Sequence, residues 1–496
     1  MISASKSFDT DVPAGPAVFS KSLLDRFRER FLAHRFRISG FLVSLIVHMA
    51  IMLVLALMVR SIGGDRNGRS IEIATASALD EVELPTLATI DTDIGTTGAA
   101  TPASSGEVSV ELSEVVLPEN QRENRAAAPE VEERNSIERW MQPSGAVVGG
   151  GFEGRTKEAR SRFGKPGLGT PESEDAVERG LAWLAAHQRP DGGWRFDLAE
   201  TPCRGVCRNS GTVGTSTGAT ALALLSFLGA GYLPSDSKYG ETVNRGLYYL
   251  ISHGVETKHG IDLQEGTMYA HGLAAIALAE AYAMSGDEGL RAPAQGAVDF
   301  ICHALHPHGG WRYYPGQPGD TTVFGWQLMA LKSGQLGKLR VPSPVIELAR
   351  QYLDSVQLDH GSFYGYQKPA KDPSPTAVGL LSRMYYGWRL GDNRLARGVE
   401  FLGKRGPSPT DMYFNYYATN VLHHYGGPWW YGWNEQMRNY LVASQSREGH
   451  EAGSWFFVDQ HGNAGGRLYT TAICIMILEV YYRHMPLYGD DSRDGF

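Results

Sequence analysis

The stretch Gln188-Arg189-Pro190-Asp191-Gly192-Gly193-Trp194 places a glutamine, a glycine and a tryptophan at the spacing QxxxGxW. Looser copies occur at 308–311, at 357–363 and, with a short insertion, between Gln445 and Trp455. Each copy follows one helical segment and precedes another, so its glycine permits a tight turn and its aromatic ring packs back between neighbouring helices. The recurrence predicts a fold built from repeated helix pairs.

Two kinds of helical segment alternate along 172–488. Segments with apolar residues at three-and-four spacing predict outer helices, at 177–187, 242–252, 294–305, 345–356, 395–404 and 434–444. Segments rich in Ala, Gly, Leu and aromatic residues, several opening on a Thr suited to capping, predict inner helices. These inner segments are 217–229, 270–284, 322–336, 376–390, 416–425 and 470–484. The long repeat spacing, about forty to sixty-five residues, favours closure into a ring over an open superhelix.

Composition sets limits on the class of protein. The chain has 496 residues, 42% of them apolar, and a net charge of −8, which suits a large folded core with additional segments. Residues 70–138 hold fifteen acids against three arginines, so the remaining residues together are slightly positive, and no basic stripe indicates a nucleic-acid partner. Four cysteines exclude a disulfide scaffold.

An apolar stretch near the N-terminus predicts a membrane anchor. Residues 38–59 contain no formally charged side chain and are long enough to span a bilayer, so we assign 38–60 as a transmembrane helix. Basic residues dominate the segment before it, within 1–37, which predicts a cytoplasmic N-terminus and an extracytoplasmic, periplasmic remainder. A cleaved signal peptide is the alternative, although the apolar run exceeds a normal signal and its end is a poor cleavage site.

Ser44 and His48 lie one helical turn apart inside this apolar stretch, at a depth where polar side chains are costly. The spacing resembles the SxxxH feature in the anchor helix of TonB-type energy transducers, whose His contacts a proton-driven motor complex. The resemblance implies a coupling role for both residues. The alternative is that His48 snorkels or pairs with another helix.

The segments flanking the helical repeats have simpler compositions. Residues 61–171 are rich in Gly, Thr, Ala, Pro and acids without sustained periodicity, which predicts a flexible, disordered linker. Residues 489–496 form a polar tail.

The QxxxGxW loops joined to helix pairs resemble the squalene cyclase and protein prenyltransferase superfamily, whose fold is an α/α toroid. The resemblance covers about 172–488. The sequences of 319–327, 413–417 and 429–433 further resemble those of membrane-tethered proteins with prenyltransferase and squalene-oxidase repeats, which are typical of planctomycete-like bacteria. In the superfamily the inner helices line a deep central cavity, where cyclases protonate an isoprenoid.

The acid motif of the cyclases, DxDDTA, aligns best on 317–322, and it is degraded there. Gln317 and Gly319 replace two of its acids, and Asp320 is the acid that remains. This loss opposes squalene cyclisation. Asp320 is better interpreted as a helix N-cap, with a substitute acid role left open.

Cys203 and Cys207 are separated by three residues. A disulfide or a local role in the loop is the leading interpretation, and a zinc pair with the nearby His187 is the minority one. We therefore predict no metal and no cofactor.

Polar and aromatic side chains concentrate near the inner-helix starts and in the loops before them. For acid–base chemistry we select Asp320, His271, His423 and His450. For ligand binding we select Tyr269, Tyr313, Trp326, Gln327, Tyr366, Tyr416, Trp430 and Trp433. Packing between helix layers is the alternative role for most of these aromatic residues.

Three classes of function compete. The leading one is a membrane-anchored toroid that binds an isoprenoid or other hydrophobic or amphiphilic ligand in its central cavity. The second is a terpene cyclase-like or transferase-like enzyme with a non-standard acid. The third is an envelope scaffold that binds a protein partner and is coupled through the anchor helix. An open apolar shaft favours ligand binding or catalysis, whereas a ring filled with side chains favours the scaffold.

Overall fold

The computed structural model describes residues 152–156, 169–484 and 487–488. The anchor at 38–60 with Ser44 and His48, the segment 1–37, most of the linker 61–171 and the tail 489–496 lie outside the described residues. Within the described ranges, no helix has both the length and the apolar character needed to cross a membrane.

Within the described residues, twelve long helices alternate between two layers. In chain order they are α1 Pro171–Ala186, α2 Ser216–Gly229, α3 Gly240–His253, α4 Met268–Ser285, α5 Arg291–Ala304, α6 Thr321–Leu336, α7 Ser343–Ser355, α8 Pro373–Tyr385, α9 Asn393–Arg405, α10 Met412–Tyr425, α11 Gly427–Ser444 and α12 Gln460–Leu478, followed by the short α13 Val480–Arg483. Antiparallel hairpins join β1 Val255–Thr257 to β2 Gly260–Asp262 and β3 Gln357–Leu358 to β4 Phe363–Tyr364. Short 3₁₀ helices occur at Glu153–Arg155, Leu198–Glu200, Glu288–Leu290, Asp359–Gly361 and Gly449–Glu451.

The even-numbered helices form a closed inner ring. Each one contacts the next, and α12 returns to contact α2. Every residue of α2 is buried, whereas the outer helix α9 buries one stripe made by Leu395, Gly398, Val399 and Leu402. An all-round apolar helix must be covered on all sides, while an amphipathic one covers its neighbours and faces water. The part of the chain that the structure describes is therefore an α/α toroid of six helix pairs, and this predicted fold is confirmed.

The first QxxxGxW loop lies between α1 and α2 and also binds the next helix pair. The Gln188 side-chain amide donates to the carbonyl of Gly192 at 2.8 Å and to that of Thr242 on α3 at 2.9 Å. The indole of Trp194 is fully buried and donates to the Leu184 carbonyl of α1 at 2.8 Å. The Trp194 indole thus binds a carbonyl in the last turn of α1, and the Gln188 amide ties the loop to the first turn of α3.

The same contacts recur at the junction between the last pair and the first. The Gln445 amide donates to the Gly453 carbonyl and to the Ala176 carbonyl of α1, both at 2.8 Å. Trp455 donates to Leu441 of α11 at 2.8 Å. This copy joins the end of the repeat array to its beginning, which closes the ring.

The starts of the inner helices meet at one end of the ring. The Tyr269 hydroxyl at the start of α4 donates to Thr322 at the start of α6, and Tyr413 at the start of α10 donates to the Thr322 carbonyl. The ends of the inner helices meet at the opposite end, where Arg483 of α13 contacts Glu280 of α4. The parallel inner helices therefore give the toroid two distinct faces.

All twelve predicted segments are helical, with shifts at their boundaries. Helix α10 begins at Met412 rather than 416, because the Asp411 side chain accepts from the Phe414 amide and caps it. Helix α8 ends at Tyr385 rather than 390, shortly before Gly387 takes a positive φ of 81°. Helix α11 begins at Gly427, seven residues before the predicted 434.

Candidate functional site

A buried carboxylate lies at the end of the ring where the inner helices start. Asp320 is the N-cap of α6, and its Oδ1 accepts from the amides of Thr322 and Val323 at 3.0 and 2.9 Å. The same oxygen accepts from the Thr322 hydroxyl at 2.6 Å. These contacts confirm the capping role predicted for Asp320, and they fix the direction of its second oxygen.

That second oxygen has no hydrogen-bond partner. Asp320 Oδ2 is buried, and the nearest cationic atom, Arg312 Nε, lies 3.8 Å away, too far for a hydrogen bond. Arg312 Nε is also buried without a partner. Burial raises the pKa of Asp320, against the opposing effect of its hydrogen bonds to Thr322 and Val323 and of the Arg312 charge. Two polar atoms of opposite charge, neither with a hydrogen-bond partner, therefore lie 3.8 Å apart.

Tyrosine hydroxyls surround this pair. Tyr269 donates to the Thr322 hydroxyl at 2.6 Å, which in turn donates to Asp320, so a short hydroxyl chain leads to the carboxylate. The hydroxyls of Tyr313 and Tyr366 lie 3.1 Å apart. The rings of Tyr269, Tyr313 and Tyr366 are half-buried and so reach the surface. We call Tyr269, Arg312, Tyr313, Asp320, Thr322 and Tyr366 the mouth site.

The local backbone positions these tyrosines. The Met268 amide at the start of α4 donates to the Tyr313 carbonyl, and the Thr321 amide at the start of α6 donates to the Tyr366 carbonyl, both at 2.9 Å. Each loop is thus held by an orphan amide of a neighbouring helix start. The sequence placed Tyr269, Tyr313, Asp320 and Tyr366 near inner-helix starts or in the loops before them, and the structure brings them together. Thr322, which links them, was assigned only to a helix start.

Aromatic side chains fill the ring below the mouth site. Trp326 of α6 stacks on Tyr416 of α10 with ring centroids 5.3 Å apart and planes at 14°. Tyr417 packs edge-on against Trp326 at 5.4 Å. Helices α6 and α10 are separated in the ring by α8, so these side chains meet across its centre. Trp326, Tyr416 and Tyr417 are almost completely buried, and at this level they occupy the position of the shaft that the family resemblance implied.

A charged cluster closes the opposite end of the ring. Arg155, which precedes α1 by a segment of the predicted linker, donates to Glu280 Oε2 at 2.7 Å, and Arg483 donates to the same oxygen at 3.2 Å. Burial opposes ionisation of Glu280, but the two guanidinium groups outweigh it and lower its pKa. A cavity beside this cluster, which Lys332 and His424 also line, has a volume of about 40 Å³, which is room for no more than a few water molecules.

Sequence reasoning missed this cluster, although a signal was present. Glu280 is the single charged residue of α4, an otherwise apolar inner helix. A lone acid on such a helix requires a buried partner, because an unpaired buried charge is strongly destabilising. Part of the predicted flexible linker, residues 152–156, therefore belongs to the folded toroid.

His271 lies between helix layers rather than in the mouth. Its Nδ1 accepts from the Leu263 amide at 3.1 Å, and its Nε2 faces the Ala297 carbonyl of α5 at 3.0 Å and donates to it. Burial lowers its pKa to about 4, so the ring is neutral at ordinary pH. Both ring nitrogens bond to backbone, which gives His271 a packing role.

Other predicted residues also lie away from the mouth. His423 is on α10 near the opposite end, where its Nε2 contacts the His484 carbonyl at 2.7 Å. Trp430 and Trp433 lie on the outer helix α11, and Trp433 donates to Thr419 of α10 at 2.8 Å. Gln327 donates to the Met268 carbonyl at 2.7 Å and joins α6 to α4. These four side chains pack between helices rather than line one ligand site.

His450 joins a second cluster, beside the two loop cysteines. Cys203 and Cys207 are buried free thiols, so the disulfide interpretation is not realised in this structure. Cys207 Sγ lies 3.4 Å from His187 Nε2 and 3.2 Å from His450 Nδ1. The four candidate ligand atoms of His187, Cys203, Cys207 and His450 all lie within 4.8 Å of one another. We call these four residues the clasp cluster.

Comparison with protein-family models and with curated proteins gave no match. Among solved structures the chain is similar to an α-1,6-mannanase of Salegentibacter sp. HEL1_6, with 9% identity, 62% of this chain and 99% of that chain covered and a TM-score of 0.45. It is also similar to a GH76 α-mannanase of Bacteroides thetaiotaomicron, with 10% identity, 62% of this chain and 95% of that chain covered and a TM-score of 0.45. A third similar structure is a type II terpene cyclase from Scytonema, with 14% identity, 63% of this chain and 98% of that chain covered and a TM-score of 0.44. No activity is transferred from these proteins, and the α/α toroid rests on this chain's own helix contacts.

Proposed function

We propose that this protein is a membrane-anchored toroid that binds an amphiphilic ligand, isoprenoid or otherwise hydrophobic, with the polar end of the ligand at the mouth site. The observation that carries the proposal is the unsatisfied pair formed by Asp320 Oδ2 and Arg312 Nε. A ligand hydroxyl can donate to the carboxylate oxygen while it accepts from the guanidinium. Buried polar atoms without partners are costly, and a ligand that supplies both bonds removes that cost.

The surroundings of the pair suit a ligand with a polar head and an apolar body. Tyr313 and Tyr366 offer hydroxyls and aromatic edges at the surface, and the Trp326 and Tyr416 rings lie deeper. Aromatic rings provide both stacking area and hydrogen bonds. Because Trp326 and Tyr416 fill the centre, we expect the apolar body to displace their side chains when it enters the ring.

The anchor completes the proposal. Residues 38–60 hold the toroid at a membrane with the N-terminus in the cytoplasm and the toroid in the periplasm, and Ser44 and His48 couple the anchor to an envelope partner. This part rests on hydropathy and charge bias in the sequence. Fusion of a periplasm-dependent reporter enzyme after Phe496 tests the topology, and an inactive fusion of normal abundance contradicts it.

The ligand proposal is tested on the full chain purified from its own host in mild detergent. Native mass spectrometry and lipid extraction are expected to find a stoichiometric amphiphile. Asp320→Asn keeps the helix cap but removes the negative charge, and Tyr366→Phe removes one hydroxyl, so both variants should lose most of the ligand. Tyr314→Phe, at a neighbouring tyrosine that is 50% exposed, is the matched control and should retain it. An empty wild-type chain, or equal occupancy in all variants, contradicts the proposal.

An enzymatic role at the same site is a second candidate. The raised pKa of Asp320, caused chiefly by burial, keeps its proton to a higher pH than is usual for an aspartate, which suits a general acid. Release of a rearranged product from the extracted ligand by wild type, and its absence with Asp320→Asn, would establish this role.

A third candidate is a protein-binding scaffold, which the filled centre of the ring favours. A toroid whose interior is packed offers partners its outer surface and its two faces. Capture of an envelope protein by the wild-type chain, together with an empty mouth site, would support this reading over the other two.

A further inference from the structure

We propose that the clasp cluster binds one zinc ion and thereby joins the two ends of the repeat array. The inference is independent of ligand binding at the mouth site. It rests on the identity of the four side chains, their separation and their place in the ring.

The ligand set matches the chemistry of zinc. Two cysteine sulfurs and two imidazole nitrogens form a Cys₂His₂ set, the composition of a closed, tetrahedral structural zinc site. Soft sulfur ligands favour zinc over magnesium or calcium. The three residues between Cys203 and Cys207 lie within the two-to-four spacing of such cysteine pairs.

The distances suit a tetrahedron. Bonds of about 2.3 Å to sulfur and about 2.0 Å to nitrogen give ligand-to-ligand edges of roughly 3.3–3.8 Å. Cys207 Sγ lies 3.4 Å from His187 Nε2 and 3.2 Å from His450 Nδ1, and all four ligand atoms are within 4.8 Å of one another. Small side-chain movements therefore suffice to complete the site.

The surroundings orient the ligands. His187 Nδ1 lies 2.7 Å from the Trp183 carbonyl, which can only accept, so Nδ1 carries the proton and Nε2 presents its lone pair to the sulfur. A histidine that donates its second nitrogen to a carbonyl is the usual arrangement at a zinc site. The turn that holds the cysteines passes through positive φ at Arg204 and Gly205, and the Val206 amide donates to the Cys203 carbonyl at 3.0 Å.

The position of the cluster gives the ion a structural purpose. His187 follows α1, the cysteines lie in the loop between α1 and α2, and His450 lies in the loop between α11 and α12. Glu451, next to His450, already bonds Arg208 across the same junction at 2.9 Å, and it bonds Arg467 of α12 at 3.0 Å. One zinc ion would connect the first and last helix pairs and so stabilise the closed ring.

Metal analysis of the full chain, purified without chelators, tests the proposal. We expect about one zinc ion per chain, the occupancy of a single four-ligand site. Cys207→Ser and His450→Gln should each lose most of that zinc. Cys302→Ser, which removes a half-buried free thiol of α5 outside the cluster, is the matched control and should keep it.

Two measurements, the zinc content of His450→Gln and the spectrum of the Co²⁺ form, keep the test decisive if Cys207→Ser fails to fold. His450 lies on an exposed loop, so His450→Gln should fold and still lose zinc. Replacement of zinc by Co²⁺ in the wild-type chain should give the strong visible bands of a tetrahedral site and a thiolate charge-transfer band. A metal-free chain, zinc retained in both ligand variants, or a Cys203–Cys207 disulfide in a non-reducing peptide map would overturn the proposal.

Discussion

Asp320 combines two roles whose energetic effects oppose each other. Its Oδ1 stabilises α6 by accepting from two backbone amides, while burial of its charge destabilises the folded state. We expect Asp320→Ala to lower the free energy of unfolding by about 1–2 kcal/mol relative to Asp320→Asn, because asparagine still caps the helix and alanine does not. Urea denaturation of both variants measures the difference, and equal midpoints would show that the cap contributes nothing.

The raised pKa of Asp320 predicts that the stability of the folded protein depends on pH. The pKa of Asp320 is higher in the folded than in the unfolded chain, so the folded state binds more protons between the two values and loses stability as the pH rises through that window. Wild type should therefore lose stability relative to Asp320→Asn as the pH rises from about 4, the pKa of an unfolded aspartate, through the higher pKa of the folded state. A constant difference across that range would show that Asp320 has an ordinary pKa.

Residue-level roles were predicted unevenly from the sequence. The cap at Asp320 follows from local pattern, because an acid before a helix start satisfies nearby amides. The position of His271 does not, because its partners, Leu263 and the Ala297 carbonyl of another helix, are set by tertiary packing. Likewise His450 and Cys207 are 243 residues apart in sequence, and closure of the ring brings them together.

At the scale of elements, the tight turns of the repeat loops depend on close backbone approach. A Cβ added at Gly192, which has φ +93°, would lie 2.5 Å from the Arg245 carbonyl oxygen of α3. Gly286 at the end of α4 also has positive φ, +65°, but no atom lies within 4 Å of its added Cβ. The two glycines separate the cost of the backbone conformation from the cost of the clash.

We expect Gly286→Ala to cost about 1–2 kcal/mol of unfolding free energy, the penalty of the left-handed conformation. Gly192→Ala should cost about 1–3 kcal/mol more, because α3 must also move away from the loop. Denaturant midpoints of the two variants give the comparison. Equal losses would mean that the loop and α3 adjust without strain.

Element order was the most predictable feature of this protein. Helical periodicity identifies all six pairs, because outer helices such as α9 bury one stripe and inner helices such as α2 are buried on every side. The boundaries of α8 and α11 and the two short hairpins were missed, since turn glycines and loop pairing carry little periodic signal. The filled centre of the ring was also beyond sequence reasoning, because it depends on which side chains of α6 and α10 meet.

At the scale of the whole molecule, the ring stays closed only if the last helix pair binds the first. Gln188 joins the first helix pair to the second through the Thr242 carbonyl, and Gln445 joins the last pair to the first through the Ala176 carbonyl. In an open array the second contact would not exist. In a ring the two contacts are equivalent, and removal of either glutamine leaves a buried loop carbonyl, that of Gly192 or Gly453, without its side-chain donor.

Gln445→Ala should therefore destabilise the chain about as much as Gln188→Ala, by about 1–3 kcal/mol each, which is the cost of unsatisfied buried polar groups. Gln351→Ala on the exposed face of α7 is the control and should remain within about 0.5 kcal/mol of wild type. Hydrogen exchange locates the effect: Gln445→Ala should speed exchange in both α1 and α12, which lie at opposite ends of the repeat array but in contact across the junction. Faster exchange in α12 alone would mean that the ring does not act as one closed unit.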